Sequence, residues 1–170
     1  MGFRSVTNRL LARLYSRVPG LAERWGKGLV PDDDTIPWAQ PVKPLREAVV
    51  ALVTTGGVHL ATDPPFDMTS PDGDASLREV ATDTATEDLT ISHDYYDHRD
   101  AETDLNLVMP VERLRELAQA GAIARLHSPV YSLMGHIAGR QLELLRERTA
   151  PHIAARLAAA GVDYALLVPA

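Results

Sequence analysis

The chain has 170 residues, 45% apolar and 24% charged, which suits one domain with a proper core and resembles neither disordered nor fibrous sequence. It contains no cysteine, so disulfides, thiolate metal sites, iron–sulfur ligation and a cysteine nucleophile are excluded within these residues. The net charge of −6 is uneven, because Arg4, Arg9, Arg13, Arg17, Arg24 and Lys27 against Glu23 give residues 1–28 a charge of +5 and leave −11 on the rest. So acidic a body is unsuited to nucleic acid, whose affinity comes mainly from neutralised phosphate. No apolar run approaches the roughly 18 residues that cross a bilayer and no signal peptide opens the chain, so a cytoplasmic protein is expected, with no membrane partner.

Phe3, Val6, Leu10, Leu11, Leu14 and Val18 recur at helical spacing with arginines between them, which predicts a basic amphipathic helix over 3–18. Its apolar stripe needs cover from the domain, a second copy or a partner subunit, with an anionic membrane surface as the less favoured alternative. Residues 31–44 hold Asp32 to Asp34, four prolines and Trp38, an extended linker by composition. The expected division is therefore 1–44, helix and linker, and 45–170, the folded domain.

Ala48 to Thr54 is a continuous β-branched run stopped by Gly56-Gly57, as expected of a strand buried on both faces of a parallel sheet. Residues 61–87 show no sustained period and read as a long loop with at most one helical turn; loops of that length are usually functional or mobile. Asp88 to Ser92 reads as a second strand delivering His93-Asp94-Tyr95-Tyr96-Asp97-His98. Pro110 and Gly121 bracket a helix, Val130 to Leu133 reads as a third strand, and Gly135 with Gly139 opens a helix to about Arg148. Thr149 and Pro151 are expected to restart a helix closed by Gly161, and Tyr164 to Val168 to form the last buried strand. This alternation predicts an α/β fold, a three-layer αβα sandwich with a mainly parallel sheet.

Ligands of such sheets bind beyond the carboxyl ends of the strands. Thr54, Thr55, Gly56, Gly57 and His59 follow the first strand, where backbone N–H groups and hydroxyls can meet an anion, although a plain tight turn explains the glycines equally well. His93, Asp94 and His98 are the candidate acid–base residues, and Tyr95, Tyr96 and His136 candidate substrate contacts, with structural hydrogen bonding as the alternative. The five-residue spacing of His93 and His98 matches no standard metal-ligand pattern, so no metal is assigned. Neither a G-x-G-x-x-G fingerprint nor a Walker loop is present, so no nucleotide cofactor is expected. His127 and His152 read as surface or helix residues.

The blocks VALVTTGGVHLATDPPFD (50–67), DLTISHDYYDH (88–98), DLNLVMPVERLRELAQAGAI (104–123), YSLMGHIAG (131–139) and GVDYALLVPA (161–170) resemble the selenoprotein B family of glycine, sarcosine, betaine and D-proline reductases. That resemblance implies reductive C–N cleavage, with a selenocysteine or cysteine attacking the α-carbon of a substrate held as an imine on a pyruvoyl partner subunit, and a nearby cysteine resolving the adduct. It carries Thr54, Thr55, Gly56, Gly57, His59, His93 and Asp94 over as a substrate-site scaffold. In the family the last strand leads into the selenocysteine or cysteine segment, whereas Ala170 ends this sequence. A chain ended at a selenocysteine codon and a paralogue without reductase chemistry are both consistent with this. Three functions stay open: a reductase-type small-molecule site, a non-catalytic binding or assembly module, and a hydrolase or lyase built on His93, Asp94 and His98, with or without metal.

Overall fold

The structure, a computed structural model, describes residues 39–170 together with Thr7, Leu10 and Leu11. Most of the predicted amphipathic helix lies outside the described residues; Thr7, Leu10 and Leu11 are helical and exposed.

The centre of the domain is β1 (Val49–Thr54), whose β-branched and leucine side chains are buried along nearly its whole length. One edge of β1 pairs in parallel with β7 (Tyr164–Val168), from Val50 opposite Tyr164 to Thr54 opposite Val168. Its other edge is shared in parallel by β5 (Arg125–Leu126) and β6 (Val130–Ser132), and β3 (Arg78–Val80) adds to β6 antiparallel. The sheet is therefore mostly parallel and the fold is α/β.

Alternation along β1 sends Val50 and Leu52 to one face and Val53 to the other. The first face packs on Val111 and Leu114 of α2 (Val111–Gln119), together with Val58, Val80, Val108 and Ile123. The second packs Val53, Tyr131 and Leu133 against Ile153 and Leu157 of α4 (Ala150–Ala159). A helical layer thus lies on each side, as the sandwich reading requires. The short α1 (Arg99–Thr103) precedes α2 and buries Ala101.

Several expectations change in detail: β7, expected to be buried, exposes Ala165, Leu166 and Leu167 because only one of its edges and part of one face are covered, and the segment 61–87, read as a loop, contributes β3 to the sheet. The strand after the long loop, β4 (Leu89–Ile91), pairs antiparallel with β2 (Val58–Leu60) in a separate two-stranded sheet. The backbone is left-handed at Gly57 (φ 69°) and β2 lies outside the parallel sheet, so β4, returning after the long loop, pairs with β2. Thr149 does not restart a helix: α3 (Gly139–Leu144) runs through a π turn, Leu145–Thr149, into α4, and the Thr149 hydroxyl donates to the Ala75 carbonyl (2.9 Å) instead of capping. The wide turn sits just before Pro151, which lacks an N–H and crowds the carbonyl four residues back. His127 is buried at the end of β5 with its ring stacked on Tyr131, whereas His152 is exposed on α4.

The linker's last residues meet the sheet at the start of β7, where Lys43 pairs with Asp163 (2.9 Å) and the Tyr164 hydroxyl donates to the Lys43 carbonyl (2.7 Å). Among the described residues these contacts begin at Lys43, after the proline-rich segment. Removal of residues 1–30 is accordingly expected to leave a cooperative thermal transition by circular dichroism; its loss would make the leader part of the core.

Candidate active-site crevice

Three segments meet at the carboxyl ends of the parallel strands, held by backbone bonds that leave little freedom. The Thr55 N–H donates to the Val168 carbonyl (3.0 Å), the Leu133 N–H to the Thr54 carbonyl (2.9 Å), and the Gly57 N–H to the Leu133 carbonyl (3.0 Å). The Ala170 N–H donates to the Thr55 hydroxyl (3.1 Å), which sets Pro169-Ala170 in the crevice mouth. Gly135 lies at the junction: a side chain there would begin 2.9 Å from His93 Nε2, 3.0 Å from the Ala170 backbone oxygen and 3.2 Å from that of Thr55.

The segment after β4 enters from the side. Ser92 N–H donates to the Gly57 carbonyl (2.9 Å), the Tyr96 hydroxyl donates to the Gly56 carbonyl (3.0 Å), and Gly135 N lies 3.1 Å from His93 Nε2. Although β4 is antiparallel and off the main sheet, His93 still arrives at the strand ends. The long loop then folds over this group. Asp94 N–H contacts the Met68 sulfur (3.4 Å), His136 Nε2–H donates to the Pro71 carbonyl (3.1 Å), and Gly73 bridges to Ile137. Tyr95 stacks on the His136 ring at 4.0 Å.

The candidate residues divide accordingly. Thr55, Gly56, Gly57, His93, Tyr95, Tyr96 and His136 come together. Thr54 is fully buried, its hydroxyl donating to the Val108 carbonyl (2.6 Å) and accepting from Gly56 N–H (3.0 Å), so its polar capacity is taken up by the fold. His59 is in the same position, with Nδ1–H donating to the Leu60 carbonyl (2.7 Å) and Nε2 accepting from the Ser92 hydroxyl (2.8 Å). Asp94 is buried beside His93. His98 packs against Tyr96, the rings at a steep angle, with Nδ1 2.8 Å from Glu102 Oε1 but without the alignment of a hydrogen bond. Among the described residues no three His, Cys, Asp or Glu side chains are grouped to hold a metal ion. The sequence offers Gly135 only as part of a helix opening with Gly139; the detectable signal is a glycine shortly after a strand end, three residues past β6 as Gly56 is two past β1.

His93 is 3% exposed, and burial pushes its pKa from 6.5 down to about 4; the nearby His136 and His98 push the same way, against a smaller opposing pull from Asp94. The fold holds this imidazole neutral, so the native state loses stability as pH falls from about 6.5 towards 4, by about 3 kcal/mol in all, and gains no dependence from it above 6.5. His127, lowered chiefly by burial, adds in the same direction. Urea midpoints at pH 7 and 4.5 should therefore separate for the wild type and separate less for His93→Gln; equal separations would show that His93 is not the group being titrated. Burial also raises the Tyr96 hydroxyl to about 12, with Glu102 assisting, so it stays a proton donor at neutral pH.

Beside Thr55 and Pro169 the crevice continues into an apolar groove of about 560 Å³ between β7 and α4, lined by Val53, Leu133, Ile153, Leu157 and Leu167. Leu167 is 68% exposed and Leu166, on the opposite face of β7, 41%.

The sequence model of the glycine/sarcosine/betaine reductase selenoprotein B family matches residues 22–170. The chain belongs to this family. A curated member, D-proline reductase subunit gamma of Acetoanaerobium sticklandii, is 36% identical over 130 residues, covering 76% of this chain and 52% of that protein. Glycine reductase complex component B subunit gamma of Carboxydothermus hydrogenoformans is 32% identical over 141 residues, 81% of this chain and 32% of its own length. Betaine reductase complex component B subunit beta of Peptoclostridium acidaminophilum is 29% identical over 144 residues, again 81% of this chain and 31% of its own. The chain thus spans about half the length of the first of these selenoprotein B relatives and about a third of the other two. No solved structure matches. Among the described residues no helix is long and apolar enough to cross a membrane.

Proposed function

We propose that this chain provides the substrate-side scaffold of a selenoprotein B-type reductase subunit, acting on a small amino acid or its N-substituted analogue of the glycine, sarcosine, betaine or proline kind. The observation that carries the reading is the placement of Ala170 at the strand ends, bonded to Thr55 and against Gly135 beside His93. A nucleophile carried into the crevice from that position would meet a substrate held by Thr55, the Gly135 backbone and the aromatic group Tyr95, Tyr96 and His136. No cysteine is present, so the selenol or thiol is supplied from outside these 170 residues.

The relatives are named as subunits of reductases or reductase complexes, and the open groove along β7 fits such a role, because contiguous exposed apolar surface usually marks a contact with another protein. We assign the groove to a partner-subunit contact and the strand-end crevice to the small molecule. A hydrolase or lyase built on His93, Asp94 and His98 has less support, since His98 is turned to Glu102 and both His93 nitrogens face backbone N–H groups.

The reading is tested by thermal shift of the full chain with D-proline, glycine, sarcosine and betaine. At least one should raise the melting temperature in a saturable way, since a ligand bound only by the native state stabilises it by RT ln(1 + [L]/Kd). Indifference to all four, with unrelated carboxylates equally inert, would leave the assembly role alone.

A further inference from the structure

A neutral imidazole carries one hydrogen on its two ring nitrogens, so it can accept at one of them only. In this structure each nitrogen of His93 faces a backbone N–H: Tyr95 N is 3.2 Å from Nδ1 and Gly135 N is 3.1 Å from Nε2. Only one of these contacts can be a hydrogen bond. In the other, two N–H groups confront each other, and protonating the ring would make both contacts repulsive.

Location decides which contact is the real bond. Tyr95 is two residues beyond His93, and a side chain accepting from the N–H two positions on is a local turn contact that persists whatever the rest of the domain does. Gly135 comes from another strand end, 42 residues away. Nδ1 is then the acceptor and the hydrogen sits on Nε2, so the mismatched donors are His93 Nε2–H and Gly135 N–H. Gly135 is exposed, whereas Tyr95 is half-buried. This tautomer therefore places one of the two unmet donors, the Gly135 N–H, on an exposed residue.

We propose that the Gly135 N–H and the His93 Nε2–H form a two-donor site for a carboxylate oxygen. The inference rests on reading the crevice as a small-molecule site and names the atoms that would hold the anion there. Two nitrogens 3.1 Å apart fit one oxygen, or the two oxygens of one carboxylate, after a tilt of the Gly135 peptide. A side chain at 135 would begin 2.9 Å from Nε2 and close the gap, which gives a reason for glycine at a position where φ is not positive. The backbone oxygens of Ala170 and Thr55 lie 3.0 and 3.2 Å from that same point. They repel a bare anion and attract N–H or ammonium, so a molecule carrying both charges suits the site better than a simple carboxylate.

The test uses the full chain, labelled with nitrogen-15, with long-range proton–nitrogen correlation to read the ring. At pH 7 His93 should appear as the Nε2–H tautomer. Sodium acetate should shift the Gly135 amide and His93 Nε2 saturably where sodium chloride at equal ionic strength does not, and glycine should do so at lower concentration. Gly135→Ala should weaken the acetate response about tenfold or more, the worth of one hydrogen bond to a charged group. His93→Gln, which keeps an N–H near the Nε2 position, should retain more of the response than His93→Phe. An Nδ1–H tautomer, or an acetate response that never saturates, overturns the assignment. If amino acids stabilise the chain while Gly135 stays unmoved, the donor site is wrong and the reductase reading stands; if acetate binds at Gly135 but no amino acid stabilises the chain, the reverse holds.

Discussion

Replacing Gly57 by alanine is expected to cost about 3 kcal/mol of stability, the sum of forcing a side chain into left-handed backbone and overpacking a closed site. Gly57 has φ +69°, and its missing Cβ would lie 2.8 Å from the Ser92 carbonyl oxygen and 2.9 Å from the His93 Cβ. Neither neighbour is the far end of a flexible side chain. The residue also joins the two sheets, donating to Leu133 and accepting from Ser92. Gly121 supplies the control, because its φ is +71° yet nothing lies within 4 Å of its Cβ position. Urea denaturation of Gly121→Ala should show the backbone cost alone, about 1 kcal/mol. Should the two variants unfold at the same midpoint, the close approach of Gly57 to Ser92 and His93 is not present in solution.

Thr54→Val is expected to cost about 2–4 kcal/mol, because it strands two buried backbone groups, the Val108 carbonyl and the Gly56 N–H, each of which carries a desolvation penalty of about 1–3 kcal/mol when unmet. The shape hardly changes, so packing is not what is being tested. Thr54→Ser keeps the hydroxyl and should lose only about 1 kcal/mol for its methyl group. Thr55→Val makes the opposite contrast: its hydroxyl meets only Ala170 N–H near the surface, so stability should barely move while any ligand response weakens. Equal stability of Thr54→Val and wild type would contradict the purely structural role assigned to that hydroxyl.

The adjacent threonines show where sequence reading stops. Both follow a legible strand and both carry a hydroxyl, and the difference between them is set by Val108, 54 residues further on. Val49–Thr54 and Val111–Gln119 were legible because burial marks their residues, continuously in the strand and at helical spacing in the helix, whereas Tyr164–Val168 was legible only as an apolar run and is largely exposed. The three-residue strands Val58–Leu60, Arg78–Val80 and Leu89–Ile91 are too short for any period, so the antiparallel pairing of β2 with β4 could not be read. The sequence offered His93 as an acid–base residue and His59 as part of the substrate loop, with nothing to show which imidazole the fold would use up. Ser92 and Leu60 engage both nitrogens of His59, whereas the contacts of His93 leave one donor unmet.

The pairing of β1 with β7 also orders events during synthesis. Val50 lies opposite Tyr164, 114 residues later, so the central strand of the sheet emerges from the ribosome long before the strand that flanks it. Until residues 164–168 are made, β1 presents an open apolar edge, and the crevice lacks the segment that Thr55 holds. Long-range parallel pairing of this kind slows folding and prolongs exposure of sticky intermediates. The nascent domain is therefore expected to be prone to aggregation until its last strand is made, and its yield should rise with chaperone supply.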